Sequence, residues 1–245
     1  MDSSQPEGGF YRVPWLDLTL GAGLLALLLA ATNAVIGLPP LSTITALLLF
    51  LGLSALISLG LHLSRSRFGP ADRVTLLRAV LVLFLASLTF FPEFLDRMAW
   101  PYALLCLVAL LMDGADGYVA RRTGTASDFG GRFDMELDAF FILILCIAVT
   151  VLEKAGPWVL LIGLMRYGFV GAGLILPWLN GPLPESFRRK TVCVWQPVTL
   201  MVAILPPTPH WFATATLLLA LGLLVWSFAT DVCYLHREAG TPLTH

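Results

Sequence analysis

Charge is scarce in this chain. Only 13% of its 245 residues are Asp, Glu, Lys or Arg, and 58% are hydrophobic; a soluble domain carries about 25% charged residues. A soluble core of this size has no room for the apolar surplus, so most of it is expected to face lipid. Histidine and cysteine are sparse as well. His62, His210, His236 and His245 are scattered, with no His or Cys at ligand spacing, so they support no His/Cys metal site. Cys106, Cys146, Cys193 and Cys233 lie in or at the ends of apolar runs without a Cys-x-x-Cys, and read as small packing residues. The net charge of −1 leaves no excess of cations for a polyanion, so nucleic acid is not an expected partner.

What the chain has in abundance is long apolar runs. Eight stand out: Trp15–Leu38, Leu41–Leu63, Leu76–Phe91, Ala99–Met112, Ala139–Leu152, Pro157–Leu179, Thr191–Leu205 and Trp211–Leu235. They lack the two-residue alternation of barrel strands, and only helices or closed barrels satisfy every backbone group in hydrocarbon. The expected fold is therefore an all-α integral membrane protein of about eight spans. The third, fourth, fifth and seventh runs are short for a bilayer of about 30 Å. Each adjoins a mixed polar stretch that can carry the helix on into water.

Cations sort to one side of these spans. Arg12, Arg65, Arg67, Arg73, Arg78, Arg121, Arg122, Arg132, Arg188, Arg189, Lys190 and Arg237 share it, whereas the opposite loops hold only Arg97 and Lys154, and Arg166 lies within a span. The positive-inside rule then puts both termini on the cytoplasmic side. The first run is longer than the h-region of a signal peptide, which favours a retained span. Residues 1–67 are expected to form a two-helix membrane extension, and residues 68–245 the functional domain.

The carboxylates are concentrated. Asp113, Asp116, Asp134 and Asp138 fall close together beside apolar runs, where ionised groups are costly and mark function by default. Helical spacing puts Asp113, Asp116, Gly117 and Ala120 on one stripe, and Asp134 and Asp138 one turn apart on the next helix. Two antiparallel helices can thus point four carboxylates into one pocket. Oxygen donors alone select a hard cation such as Mg²⁺, Mn²⁺ or Ca²⁺. Gly117 and Ala120 leave room for a ligand near the backbone, and the planar fork of Arg121 suits a diphosphate. Asp128 reads instead as a helix N-cap beside Gly130.

At these residues the sequence resembles the CDP-alcohol phosphotransferases, also called phosphatidyltransferases. Their signature, Asp-x2-Asp-Gly-x2-Ala-Arg-x8-Gly-x3-Asp-x3-Asp, is met in full by Asp113, Asp116, Gly117, Ala120, Arg121, Gly130, Asp134 and Asp138. Upstream, Asp72-Arg-Val74-Thr75-Leu-Leu-Arg78 is similar to the family's Asn-x-Leu-Thr-x-x-Arg, with Asp in place of Asn. The resemblance covers about Phe68 to Tyr234 and implies a six-helix core. It implies Mg²⁺ or Mn²⁺ as cofactor, held by Asp113, Asp116 and Asp134, with a second ion shared with Asp138. Asp138 would be the general base, Gly117 and Ala120 would lie against the cytidine with Arg121 on the diphosphate, and Gly130 at the turn. CDP-diacylglycerol is the implied donor and CMP the product. The expected setting is a bacterial cytoplasmic membrane, with the site facing the cytoplasm.

The acceptor alcohol is read less directly. Arg166, Arg188, Arg189 and Lys190 would suit a phosphorylated polyol such as glycerol phosphate or inositol phosphate, if they converge beside the acids. Positive-inside anchoring explains the basic trio equally well, and the Lys190-Thr191 to Gln196 spacing departs from that of the glycerol-phosphate branch. Asp231 is expected to pair with Arg78 or Arg166, or else to serve the site. Gly168 and Ala172 would let helices approach closely, as in a homodimer. Two other functions fit parts of the pattern: transfer of phosphocholine- or phosphoethanolamine-type groups to diacylglycerol, and divalent-cation transport along an acidic path.

Overall fold

The computed structural model describes residues 13–64, 66, 68–123, 127–181, 183–184 and 186–240, with the backbone alone at 115–123 and 239–240. Among the described residues every regular element is helical. The helices are α1 (Trp15–Ile36), α2 (Pro40–Ser64), α3 (Pro70–Thr89), the short α4 (Pro92–Arg97), α5 (Ala99–Thr123), α6 (Asp128–Val151), α7 (Leu160–Ile175), α8 (Phe187–Ile204) and α9 (His210–Gly240). Single 3₁₀ turns at Pro157–Val159 and Pro177–Asn180 flank α7. The all-α expectation holds, and a long helix lies on each expected apolar run.

Among the described residues, four segments are long and apolar enough to cross a membrane on their own: Trp15–Ile36, Pro40–Ser64, Pro157–Ile175 and His210–Glu238. Their outer surfaces are apolar. Leu20, Leu27, Leu47, Leu48, Leu174 and Leu219 all stand exposed, an arrangement water does not tolerate over so large an area and lipid tails do. The chain is accordingly an integral membrane protein. The remaining long helices continue beyond their apolar runs, as the flanking polar residues suggested. Thus α5 runs past Met112 to Thr123, and α6 starts well ahead of Ala139.

Local chemistry explains where these helices begin and end. Pro70 opens α3 with its φ already helical. Asp72, in that first turn, accepts the Gly69 N–H at 2.7 Å, as in one half of a capping box. At the start of α6 the cap is Ser127 and not Asp128: the Ser127 Oγ accepts the Gly130 N–H at 2.9 Å. Asp128 stands inside the first turn, where its charge still suits the helix dipole. At the far end of α8, Lys154 Nζ donates to the Leu205, Pro206 and Thr208 carbonyls at 3.3, 3.4 and 3.4 Å, satisfying oxygens that have no helical partner.

The chain forms two compact units, Met1–Ser87 with Val108–Leu137 and Leu88–Leu107 with Asp138–His245; one boundary falls within α6. In the first, a buried stripe of Leu18, Gly21, Leu25 and Leu29 faces inward from α1, and Gly21 lets Phe50 of α2 and Val80 of α3 approach. Leu18, Ile57, Leu61, Leu76 and Phe129 form one buried cluster, with Phe133 packed against it. The two N-terminal helices therefore brace the first turns of α3 and α6. In the second unit α8 and α9 are joined by the Gln196 amide, which donates to the Ala220 carbonyl at 2.9 Å. Gly163 of α7 lies so close to the Leu143 backbone that a Cβ there would come within 2.7 Å of its Cα.

Candidate functional site

The site begins with α3. Arg78 is 2% exposed, and a guanidinium that deep requires anionic partners because it cannot shed its proton. It has them. Nη1 donates to Asp113 Oδ1 on α5, and Nη2 donates to Asp134 Oδ1 on α6 at 2.7 Å. One planar fork thus ties two carboxylates from two helices in the first unit. Asp138 follows Asp134 by one turn of the unbroken α6. Within the first unit, a carboxylate oxygen of Asp113 and one of Asp134 lie within 4.8 Å of each other.

That spacing fits a hard cation. Opposite ligands around an octahedral Mg²⁺, with bonds of about 2.1 Å, stand about 4.2 Å apart, and Ca²⁺ with its longer bonds accepts more. The donor set is all oxygen, and the three acids are half-buried. Asp134 lies at the polar end of α6, ahead of the apolar run. Burial pushes its pKa above the ordinary 3.8, the Arg78 charge and hydrogen bond pull it down, and the Asp113 charge raises it. A divalent ion at these oxygens would favour the ionised form further.

Gly130 has a steric reason for being glycine. It sits in the first turn of α6 rather than in the preceding loop, and a Cβ there would collide with the Asp72 carboxylate of α3. Asp72 is 2% exposed, and burial raises its pKa while the bond from Gly69 lowers it. Of the other signature residues, Asp116, Gly117, Ala120 and Arg121 belong to the α5 backbone; their side chains lie outside the described residues. The sequence reading missed the part played by Arg78, counting it as a topological cation, a motif position and a partner for Asp231. Its place near the start of an apolar helix was the available signal.

In the second unit another charged group gathers around α8. Arg188 donates through Nη1 to the Ser227 carbonyl at 2.7 Å and to the Ser227 Oγ at 2.8 Å, and through Nη2 to Asp231 Oδ1 at 2.6 Å. Its guanidinium also lies 5.4 Å from the centre of the Trp226 ring. Arg189 Nη1 is 3.6 Å from Asp231, and its Nη2 donates to the Pro184 carbonyl. Asp231 is thus paired, with Arg188 and Arg189, where the sequence suggested Arg78 or Arg166. Asp138, Arg166, Arg189 and Asp231 all lie within electrostatic reach of Cys193 on α8. Lys190 lies on the first turns of the same helix. A Cβ at Gly168 on α7 would meet nothing within 4 Å.

A family model described as CDP-alcohol phosphatidyltransferase matches residues 68–227. The match begins just ahead of α3, takes in the whole acidic cluster and ends at Ser227 of α9. No curated protein and no solved structure matches the chain.

Proposed function

Since the chain belongs to the CDP-alcohol phosphatidyltransferase family, whose members move a substituted phosphate group from a CDP-alcohol to an acceptor, we propose that it makes a phospholipid from CDP-diacylglycerol. The acceptor in this reading is the hydroxyl of a small polyol, and CMP is released. The convergence of Asp113 and Asp134, with Asp138 one turn further along α6, carries the proposal. Asp113, Asp116, Asp134 and Asp138 are the residues that would hold Mg²⁺ or Mn²⁺. That ion, when bound, supplies charge neutralisation for the diphosphate and the leaving CMP.

The protein's own groups do the rest. Arg121 offers two parallel N–H donors to the phosphoryl oxygens, and Gly117 and Ala120 leave space on the same face for the nucleoside. Gly130 keeps α6 close to α3. Asp138 takes the proton from the acceptor hydroxyl as its oxygen attacks the phosphorus of the phosphatidyl group and the bond to CMP breaks. Catalysis of this kind is mainly positioning and charge stabilisation.

For the acceptor, we favour a phosphorylated polyol such as glycerol phosphate or inositol phosphate. The support is that Arg166, Arg189 and Asp138 all lie within electrostatic reach of Cys193 on α8, with Lys190 next to Arg189 in sequence. Arg188, bound to Asp231 and Ser227, would brace that group. In the membrane we read eight spans, both termini and the acidic cluster on the cytoplasmic side of a bacterial cytoplasmic membrane, residues 1–67 as an extension and residues 68–245 as the catalytic domain, working as a homodimer.

The deciding experiment is an acceptor screen. Purified chain with Mg²⁺ and CDP-diacylglycerol is offered glycerol phosphate, inositol phosphate and unphosphorylated polyols, CMP is measured, and the lipid is identified by mass. Release only with a phosphorylated polyol supports the reading. Release from CDP-choline with diacylglycerol instead would assign the other donor class.

A further inference from the structure

We propose that Arg78 is a positioning residue that sets how tightly the acidic cluster takes its divalent cation, because it binds the same carboxylates. This rests on the metal reading above and goes beyond it. The guanidinium spans α5 and α6 through Asp113 and Asp134, two acids whose oxygens converge. It is permanently charged and 3% exposed on its side chain, so neither deprotonation nor solvent removes its field. Each carboxylate has two oxygens, and Arg78 engages Oδ1 of both. A cation must therefore share Asp113 and Asp134 with a fixed positive group a few ångströms away, or displace it. Two effects follow. Without a cation, the acids remain compensated and held in place. With one, repulsion from Arg78 keeps the complex weaker than carboxylates alone would make it.

The test titrates Mn²⁺ into the full chain in detergent micelles and follows the loss of the free-ion signal by electron paramagnetic resonance. Arg78→Gln is expected to bind Mn²⁺ at least tenfold more tightly than wild type, and Arg78→Lys, whose single ammonium cannot bridge both acids, to fall between them. With no divalent ion added, Arg78→Gln should also unfold at a lower temperature, and Mn²⁺ should restore more of its stability than it adds to wild type. Equal or weaker binding by Arg78→Gln overturns the inference. Should that variant fail to fold, Arg78→Lys decides, and binding no tighter than wild type has the same consequence. If wild type itself binds no Mn²⁺, the metal reading falls and takes this inference with it, an outcome distinct from the others.

Discussion

Gly60→Ala would show whether the N-terminal helices support the site. A Cβ at Gly60 of α2 would stand 2.7 Å from Phe129 Cε2 and 3.2 Å from Cδ2. Phe129 cannot easily turn away. It is 7% exposed, packed with Leu18, Ile57, Leu61 and Leu76, and stacked on Phe133 with ring centres 5.9 Å apart. Forcing an extra methyl into such a contact costs about 1–3 kcal/mol, while Ala in place of Gly inside a helix returns up to about 1 kcal/mol. The net expectation is a loss of about 1 kcal/mol, a fall of about 2–4 °C in unfolding midpoint for a chain of this size. Phe129→Leu removes the colliding ring atoms, so on that background Gly60→Ala should become stabilising. Thermal unfolding of the four members of this cycle in detergent, followed by tryptophan fluorescence, reads the coupling directly. If Gly60→Ala raises the midpoint in the wild-type background, the reasoning is refuted, because helix propensity would then have acted with no clash to oppose it. Because Phe129 is in the first turn of α6, the same substitution should also lower CMP release.

Two further substitutions probe buried charge. Asp72 holds its proton longer in the folded chain than in the unfolded one, where it is lost near 3.8, so its contribution to stability falls as pH rises from about 4 through the raised value. Asp72→Asn keeps an acceptor for the Gly69 N–H without the charge; its midpoint should exceed that of wild type by a margin that grows with pH, and a constant margin would contradict the assignment. Arg188→Ala strips Asp231, 8% exposed, of its nearest partner. Losing one member of a buried pair costs about 3–5 kcal/mol, but Arg188 is one-fifth exposed and Arg189 remains within 3.6 Å, which reduces the expectation to about 2 kcal/mol by denaturant titration. An unchanged stability with activity lost would make Arg188 an acceptor ligand instead.

Much of this architecture is legible from residue order because its causes are local. Apolar runs place the helices, and the polar residues beside Met112 and Ala139 foretell the extended ends of α5 and α6. The acidic spacing brings Asp113 and Asp134 to facing helices, and the structure brings one oxygen of each together. The errors concern choices among neighbours or among distant partners. Ser127 and Asp128 are both good caps, and only backbone geometry shows that Ser127 is the one used. Residue order points Asp231 to Arg78 or Arg166, and the packing of α8 on α9 instead brings Arg188 and Arg189 to it. Gly60 carries no signal at all, since the ring it admits belongs to a helix remote in sequence.

The central claim is that the acidic cluster is the centre of phosphatidyl transfer, and Asp138→Asn tests it most directly. CMP release from CDP-diacylglycerol is measured for wild type and variant with the preferred acceptor and Mg²⁺, alongside Mn²⁺ binding by each. The account predicts that wild type releases CMP only with metal and alcohol both present, and that Asp138→Asn still binds metal while its release drops by about 10²-fold or more, as expected when a general base is removed. Full activity in Asp138→Asn, or cation flux through liposomes with no CMP released under any condition, would contradict it.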